Sequence, residues 1–251
     1  MSGYYLYGVL PGGAAPDGLG TGIGGAGVGV LPAVHGLAAL VSEAPETPPE
    51  PTRRNLLTHT AVLERTIGVA DVLPMRFGTI APDAATLDGC LARNAQPFAA
   101  ALAGIAGRVE LGVKASWREG VATRQILAAD HGLRAMRDRL LHRPASQIYE
   151  GRIELGRRVE AALEALRATD AAAILALLSP LAEREVALKV LDESMVLNRA
   201  FLVPRPAEAA FDAAMQRLGE AAEARLVFRY VGPVPPYNFV SLRTDWLAEA
   251  A

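Results

Sequence analysis

The sequence predicts a two-domain α+β protein in which antiparallel sheets are combined with helices. Short β-prone segments alternate with helical segments along the chain. Residues 108–117 alternate apolar and polar side chains, which indicates a strand with one packed and one solvated face, as in an antiparallel sheet. Two later segments repeat apolar residues every three or four positions, which predicts an antiparallel, coiled-coil-like helical hairpin. At 251 residues the chain can bury a substantial core.

The first predicted domain spans residues 1–117 and is ferredoxin-like. Its predicted elements, in order, are a strand at 4–10, a flexible glycine-rich loop at 13–29, strands at 28–34 and 37–42, a helix at 52–70, a strand at 72–80, a helix from 83 to about 103, and the strand at 108–117. The strand pair turns at His35 and Gly36, and Asp83 is a predicted N-cap. Helical spacing places Leu56, Leu63 and Ile67 on one apolar face and His59 on the polar side.

The second predicted domain spans residues 118–251 and contains the helical hairpin. One arm carries apolar residues from 126 to 140, the other from 155 to 166, and Pro144 lies between them. The outer face is rich in arginine, but acidic residues are interleaved with it, which favours a solvated surface over a nucleic-acid site. A third helical stretch is predicted at 171–178, strands at 186–190 and 195–203, a helix at 207–222, and a last strand at 224–231.

Composition narrows the function classes. The net charge of −2 provides no global field to attract nucleic acid or an anionic membrane. The single cysteine, Cys90, fits a reducing compartment. No secretory leader pattern opens the chain, and no apolar run reaches the ~18 residues that a membrane span needs. The sequence therefore predicts a soluble, cytoplasmic protein with no nucleic-acid or membrane partner.

No catalytic, cofactor or metal site is predicted. The glycine run matches a dinucleotide fingerprint at residues 20, 22 and 25 and again at 22, 24 and 27, but a strand signal follows it where the phosphate site requires a helix. No two of the four histidines have the spacing that puts metal ligands on one helix face. No Gly-x-Ser-x-Gly elbow is present. The favoured interpretation is that the glycine run is a loop and that the protein binds no cofactor.

Two short motifs carry most of the functional information. The first, at residues 73–79, reads Leu-Pro-Met-Arg-Phe-Gly-Thr, and the second, at 232–240, reads Gly-Pro-Val-Pro-Pro-Tyr-Asn-Phe-Val. Prolines fix the backbone and remove hydrogen-bond donors, so the second motif is a rigid element that positions side chains. Arg76 lies between apolar neighbours, where it either forms an internal ion pair or contacts a partner at a sheet edge. Tyr237 and Phe239 either cap the core of the second predicted domain or form an exposed aromatic patch.

Both motifs resemble those of the gas vesicle accessory protein family F/L (GvpF/GvpL), with Val234 where that family usually has tryptophan. The strand segments at 4–10, 109–114 and 197–203 also fall in the family's order over nearly the whole chain. The resemblance implies a non-enzymatic accessory protein, associated with gas vesicles, that binds the hydrophobic shell subunit and other accessory proteins during nucleation and assembly. An open sheet edge or apolar groove in the first domain is the predicted docking place. The predicted partner-binding residues are Met75, Arg76, Phe77, Pro235, Pro236, Tyr237 and Phe239.

Two alternatives remain at the level of sequence. The first is an enzyme on a ferredoxin-like fold, in one version haem-dependent, with His59 or His131 as the iron ligand. The second is a family member that acts as a general adaptor without a gas vesicle role. A Soret band in the purified protein would support the first alternative, and the presence or absence of shell-subunit genes nearby would decide the second.

Overall fold

The fold is described by a computed structural model that covers residues 3–14, 16–142, 144 and 149–241. The strands are β1 (Tyr4–Pro11), β2 (Gly29–Val34), β3 (Leu37–Glu43), β4 (Leu73–Pro74), β5 (Ile80–Ala81), β6 (Arg108–Trp117), β7 (Arg184–Ala187), β8 (Met195–Pro204) and β9 (Leu226–Val234). The α-helices are α1 (Arg53–Ile67), α2 (Ala84–Arg93), α3 (Ala95–Ile105), α4 (Val121–Ala129), α5 (His131–Leu141), α6 (Tyr149–Leu178) and α7 (Glu208–Ala222). The predicted α+β class is confirmed.

The first sheet is antiparallel and is built around β1. Its order is β2-β3-β1-β4, and β5 also pairs with β1. A register shift between Leu6 and Gly8 inserts an extra residue into β1, so the side chains after it change faces. Tyr5 and Tyr7 pack on the α1 side of the sheet, whereas Leu6 and Val9 pack against the buried residues of α2 and α3. The sheet is therefore covered on both faces.

The β2–β3 hairpin turns where the sequence predicts. His35 has a φ of 51° and Gly36 a φ of 77°. Two consecutive residues with positive φ match the turn type whose twist suits a two-residue hairpin.

Helix α1 begins after Thr52, whose side chain accepts a hydrogen bond from the Asn55 N–H at 3.3 Å. The predicted apolar face of this helix needs correction. Leu56 is 42% exposed, whereas His59 is only 3% exposed and belongs to the core side. Periodicity missed this because an imidazole is scored as polar, although it can be buried when both ring nitrogens have partners.

Two predicted elements are divided in the structure. The predicted strand at 72–80 is two short strands, β4 and β5, on either side of a turn in which the Thr79 N–H and hydroxyl donate to the Arg76 carbonyl. The predicted helix from residue 83 has the expected cap, since the Asp83 carboxylate accepts from the Thr86 N–H at 2.7 Å. It ends at Arg93, and α3 starts after Asn94, whose ψ of 15° breaks the helical path.

The second sheet has the order β7-β8-β6-β9. Strand β6 belongs to this sheet, which corrects the prediction that it completes the sheet of the first domain. The expected alternation within β6 holds except at Glu110, which is buried.

Contacts divide the chain into two compact units that are discontinuous in sequence. The first contains Met1–Leu111, Leu202–Arg205 and Gly232–Ala251, and the second contains Gly112–Phe201 and Pro206–Val231. The division into domains at residue 117 stays a prediction, because compactness alone does not establish independent folding.

In the second unit, α6 continues unbroken for 30 residues and includes the stretch predicted as a third helix. The other arm of the hairpin is two helices, α4 and α5, because the Asp130 carboxylate caps α5 by accepting from the Leu133 N–H at 2.9 Å. Within the described residues, no helix is both long enough and apolar enough to cross a membrane.

Candidate functional site

The two motifs converge on His59 in the first unit. The Tyr237 hydroxyl of the second motif lies 3.2 Å from His59 Nε2, and the Met75 carbonyl of the first motif lies 3.1 Å from the same nitrogen. Tyr5 on β1 completes the cluster, with its hydroxyl 3.0 Å from His59 Nδ1. Phe77 packs edge-on against both Tyr5 and His59. One buried imidazole thus connects β1, α1 and both motifs.

The hydrogen bonds identify the tautomer of His59. The Gly78 N–H donates to the Tyr5 oxygen at 3.0 Å, so the Tyr5 O–H is free to donate to Nδ1. The Nε2–H then donates to the Met75 carbonyl, which can also accept a long bond, 3.5 Å, from the Tyr237 hydroxyl. In this arrangement every polar atom of the cluster has a partner, and the imidazole is neutral.

Burial keeps the cluster uncharged near neutral pH. Loss of solvent lowers the pKa of His59 to about 4 and raises that of Tyr5 to about 12. Burial also raises the pKa of the Tyr7 and Tyr237 hydroxyls. The cluster is therefore a neutral hydrogen-bonded network, and a general acid or base that works near pH 7 is not what this geometry provides.

A second polar contact holds the C-terminal motif in place. The Glu110 carboxylate accepts a hydrogen bond from the Asn238 N–H at 2.9 Å and another from its side-chain amide. Glu110 is only 4% exposed, and burial raises the pKa of its carboxyl while the Asn238 bonds act in the opposite direction. On either side of this contact, Pro236 and Phe239 are buried. The motif is thus bound as a strap on the first unit.

The structure separates the seven predicted partner-binding residues into two groups. Four are buried, and they shape the site without reaching solvent: Met75, Pro235, Pro236 and Phe239. Arg76 and Tyr237 are exposed, and Phe77 is half-buried. Whether any of them contacts a partner stays a prediction.

The interpretation of Arg76 as a residue inside an apolar strand is wrong. Arg76 lies in the exposed turn between β4 and β5, so its guanidinium needs no buried partner. Among the described residues, no carboxylate lies within ion-pairing distance of it.

The sequence did not predict that His59, Tyr5 and Glu110 position the two motifs. Tyr5 had a signal, since it lies in an aromatic-rich strand whose hydroxyls must find partners when buried. His59 and Glu110 had none, because their partners in the second motif, Tyr237 and Asn238, are 178 and 128 residues away along the chain.

The two histidines of the haem alternative differ in their surroundings. Both ring nitrogens of His59 are hydrogen-bonded within the core, so neither nitrogen is open to an iron ion. His131 is exposed at the start of α5. Among the described residues, no cluster of three or more metal-ligating side chains occurs.

The glycine-rich stretch is held in place between its ends, which corrects the prediction of a flexible loop. Leu19 and Ile23 are buried in the core on the α1 side of the first sheet. The Ile23 N–H donates to the Tyr7 hydroxyl at 2.7 Å, and Arg65 donates to the carbonyls of Leu19 and Thr21. The segment then runs into β2, so its glycines do not precede a helix as a dinucleotide site requires.

Comparison with known proteins identifies the family. The family model described as gas vesicle synthesis protein GvpL/GvpF matches residues 3–241. The chain belongs to the GvpL/GvpF family. Its relatives include a gas vesicle protein F from a Streptomyces species, 37% identical over 205 residues, which cover 81% of this chain and 84% of the relative. A gas vesicle protein F from a Nostoc species is 28% identical over 83% of this chain and 86% of its own length.

Solved structures of GvpF proteins share the fold. The crystal structure of GvpF from Anabaena sp. PCC7120 superposes with a TM-score of 0.85 at 26% identity, over 97% of this chain and 100% of that one. The GvpF structure from Microcystis aeruginosa gives a TM-score of 0.81 at 24% identity and supports the fold alone. Membership of the GvpL/GvpF family gives this protein a gas vesicle accessory role.

Proposed function

We propose that this GvpL/GvpF protein is a non-enzymatic assembly factor that acts in the cytoplasm. It binds the hydrophobic shell subunit, and other accessory proteins, during nucleation and assembly of the vesicle. Family membership supports the gas vesicle role. The observation that carries the binding proposal is the open edge of the first sheet at β2.

Among the described residues β2 pairs only with β3, so the backbone groups on its other side are unpaired within that part of the chain. Val30 and Leu31 are each half-buried and add apolar surface beside that edge. Pro32 lacks an N–H and blunts the rest of the strand, which restricts strand addition to Gly29–Leu31. A short apolar edge of this kind can pair with a strand of the shell subunit and delay its aggregation.

A second contact is proposed at the surface formed by Arg76, Phe77 and Tyr237. These are the three predicted partner-binding residues that reach solvent, and Phe77 and Tyr237 both contact His59. A preorganised aromatic and cationic surface loses little entropy on binding, which favours recognition. The buried residues Met75, Pro235, Pro236 and Phe239 support this surface from below.

The experiment is a co-expression pull-down of the shell subunit from the same organism with the full-length protein. Gly29→Lys places a charge on the β2 edge, where a side chain meets open space. Gly104→Lys, on α3, also meets open space and is the matched control. We expect wild type and Gly104→Lys to capture the shell subunit and Gly29→Lys to lose most of the capture.

Arg76→Ala and Tyr237→Phe test the second surface in the same assay. If these variants lose capture of the shell subunit while Gly29→Lys retains it, the shell subunit binds at the motifs and not at the β2 edge. If folded wild type captures nothing, direct binding of the shell subunit is wrong. Circular dichroism of each purified variant confirms that a loss reflects the contact and not unfolding.

A further inference from the structure

The second unit has its own open edge at β9. The strand is the last in the order β7-β8-β6-β9 and, in the part of the chain that the structure describes, pairs with β6 alone. Along it, Val227 is 48% exposed and Val231 is 50% exposed, and Arg229 between them is exposed as well. Since side chains two apart share a face of a strand, these three form one stripe beside unpaired backbone groups.

This edge is held rigidly in the unit. Just before the strand, Arg225 donates to the Asp170 carboxylate of α6 at 2.8 Å and to Gln125 of α4 at 3.0 Å. Within it, the Tyr230 hydroxyl donates to Asp212, and its ring stacks on Phe211 of α7. A strand fixed on its inner side loses little freedom when a second strand is added on its outer side.

The charge of Arg229 indicates which kind of strand can pair with the β9 edge. Among the described residues its side chain has no ion-pair or hydrogen-bond partner. If a second copy of β9 paired antiparallel with the valine stripes aligned, the two Arg229 side chains would lie opposite each other, and like charges in that position are destabilising. A carboxylate opposite Arg229, with apolar residues opposite the valines, gives a favourable pair at all three positions.

We propose that the β9 edge binds, by strand addition, an extended segment of another protein in which an acidic residue lies between two apolar residues at alternate positions. This goes beyond the proposed function, because it concerns a different strand and a partner of different chemistry. Main-chain hydrogen bonds supply the affinity, and the stripe of valine, arginine and valine supplies the specificity.

The test uses full-length protein and two short, end-blocked, fluorescent peptides: Thr-Val-Thr-Glu-Thr-Val-Thr, and the same peptide with Lys in place of Glu. We expect the Glu peptide to bind about fivefold more tightly than the Lys peptide in fluorescence anisotropy. The reason is that the cross-strand pair with Arg229 is attractive for Glu and repulsive for Lys. Hydrogen exchange should show new protection at the amides of β9.

Arg229→Glu should reverse the preference between the two peptides, and Arg229→Gln should abolish it. Arg157→Glu, at an exposed arginine of α6, is the control and should leave the preference unchanged. The proposal is overturned if neither peptide binds, if protection appears away from β9, or if Arg229→Glu keeps the wild-type preference. A concentration-dependent dimer that protects β9 in sedimentation and exchange experiments would assign the edge to a second copy and would also overturn it.

Discussion

At the scale of single residues, His59 shows how a buried polar group can organise a surface. Its two ring nitrogens are satisfied by Tyr5 and by the Met75 carbonyl, and Tyr237 approaches from the surface side. Neutral imidazole satisfies every polar partner, whereas imidazolium would require the Tyr5 hydroxyl to accept a hydrogen bond from Nδ1–H in place of donating one. The network therefore makes the position of both motifs depend on one uncharged side chain.

This arrangement predicts that the protein loses stability as the pH falls. The pKa of His59 is about 4 in the fold and 6.5 when unperturbed, so the unfolded state binds a proton first. The stabilisation is fully present above pH 6.5, declines between pH 6.5 and about 4, and amounts to on the order of 3 kcal/mol. Urea unfolding across that range should show the decline in wild type and a smaller one in His59→Gln. Equal slopes for the two proteins would assign the pH dependence to other groups.

A second prediction at this scale concerns Gly232, which has a φ of 140°. A Cβ at this position would lie 2.7 Å from the Leu111 side chain and 2.9 Å from the Glu110 carbonyl. We expect Gly232→Ala to lower the free energy of unfolding by about 2 kcal/mol or more, since it combines backbone strain with a clash. Gly104→Ala, in open space on helix α3, should instead raise it by about 0.5–1 kcal/mol. Chemical denaturation checks both, and an unchanged midpoint for Gly232→Ala would contradict the first.

At the scale of elements, a buried carboxylate links helix α6 to its sheet. Asp170 is 7% exposed and accepts from the Trp117 indole N–H at 2.7 Å and from Arg225 at 2.8 Å. Arg167 lies over the other side of the indole, 5.5 Å from the ring centroid. The long helix is thus fixed at its C-terminal half, whereas the apolar residues of its N-terminal half are at most half-buried.

We therefore expect Asp170→Ala to be strongly destabilising. The substitution leaves the Trp117 N–H without a partner in the core and removes the ion pair of Arg225, with a cost of about 2–3 kcal/mol. Asp138→Ala, which breaks an exposed pair with Arg137 on α5, should change the free energy of unfolding by no more than about 0.5 kcal/mol. Urea unfolding followed by tryptophan fluorescence compares the two. Similar effects of both variants would show that Asp170 is not the attachment point.

The positions of most elements follow from local sequence, whereas their interruptions do not. Period-two alternation located β6, and the spacing of apolar residues located α1 and the hairpin. The breaks at Asn94 and Asp130 were missed because each residue is both the end of one helix and the start of the next, and apolar spacing continues across it. The split of the 72–80 strand was missed because Gly78, with a φ of 83°, carries a turn that hydrophobicity alone does not reveal.

At the scale of the whole molecule, the sequence predicted the family and the two motifs but not their convergence. The motifs meet at His59, and Glu110 binds the second motif; both residues lie far along the chain from that second motif. Strand pairing between distant segments is also what placed β6 in the second sheet. Such partners are chosen by packing, and no local pattern encodes them.

Because the first unit contains segments that lie far apart along the chain, we expect its N-terminal part to be unstable alone. A fragment of residues 1–117 lacks Arg205, whose guanidinium donates to the Ile67 carbonyl at the end of α1. It also lacks Asn238, so the buried Glu110 carboxylate loses its partners. Leaving buried polar groups unpaired costs about 1–3 kcal/mol each, a large part of the stability of a small domain. We expect the fragment to unfold at lower temperature than full-length protein, or without a cooperative transition, in thermal circular dichroism.

Asn238→Ala in the full chain is the graded control for this experiment, because it removes the side-chain bond to Glu110 and keeps the backbone one. Its midpoint should therefore fall between those of the fragment and of wild type. A synthetic peptide of residues 232–241, added to the fragment, should raise the midpoint of the fragment, since it returns the strap that covers Glu110. If the fragment alone unfolds cooperatively at the wild-type temperature, residues 1–117 are a self-sufficient domain, and the strap serves recognition more than stability.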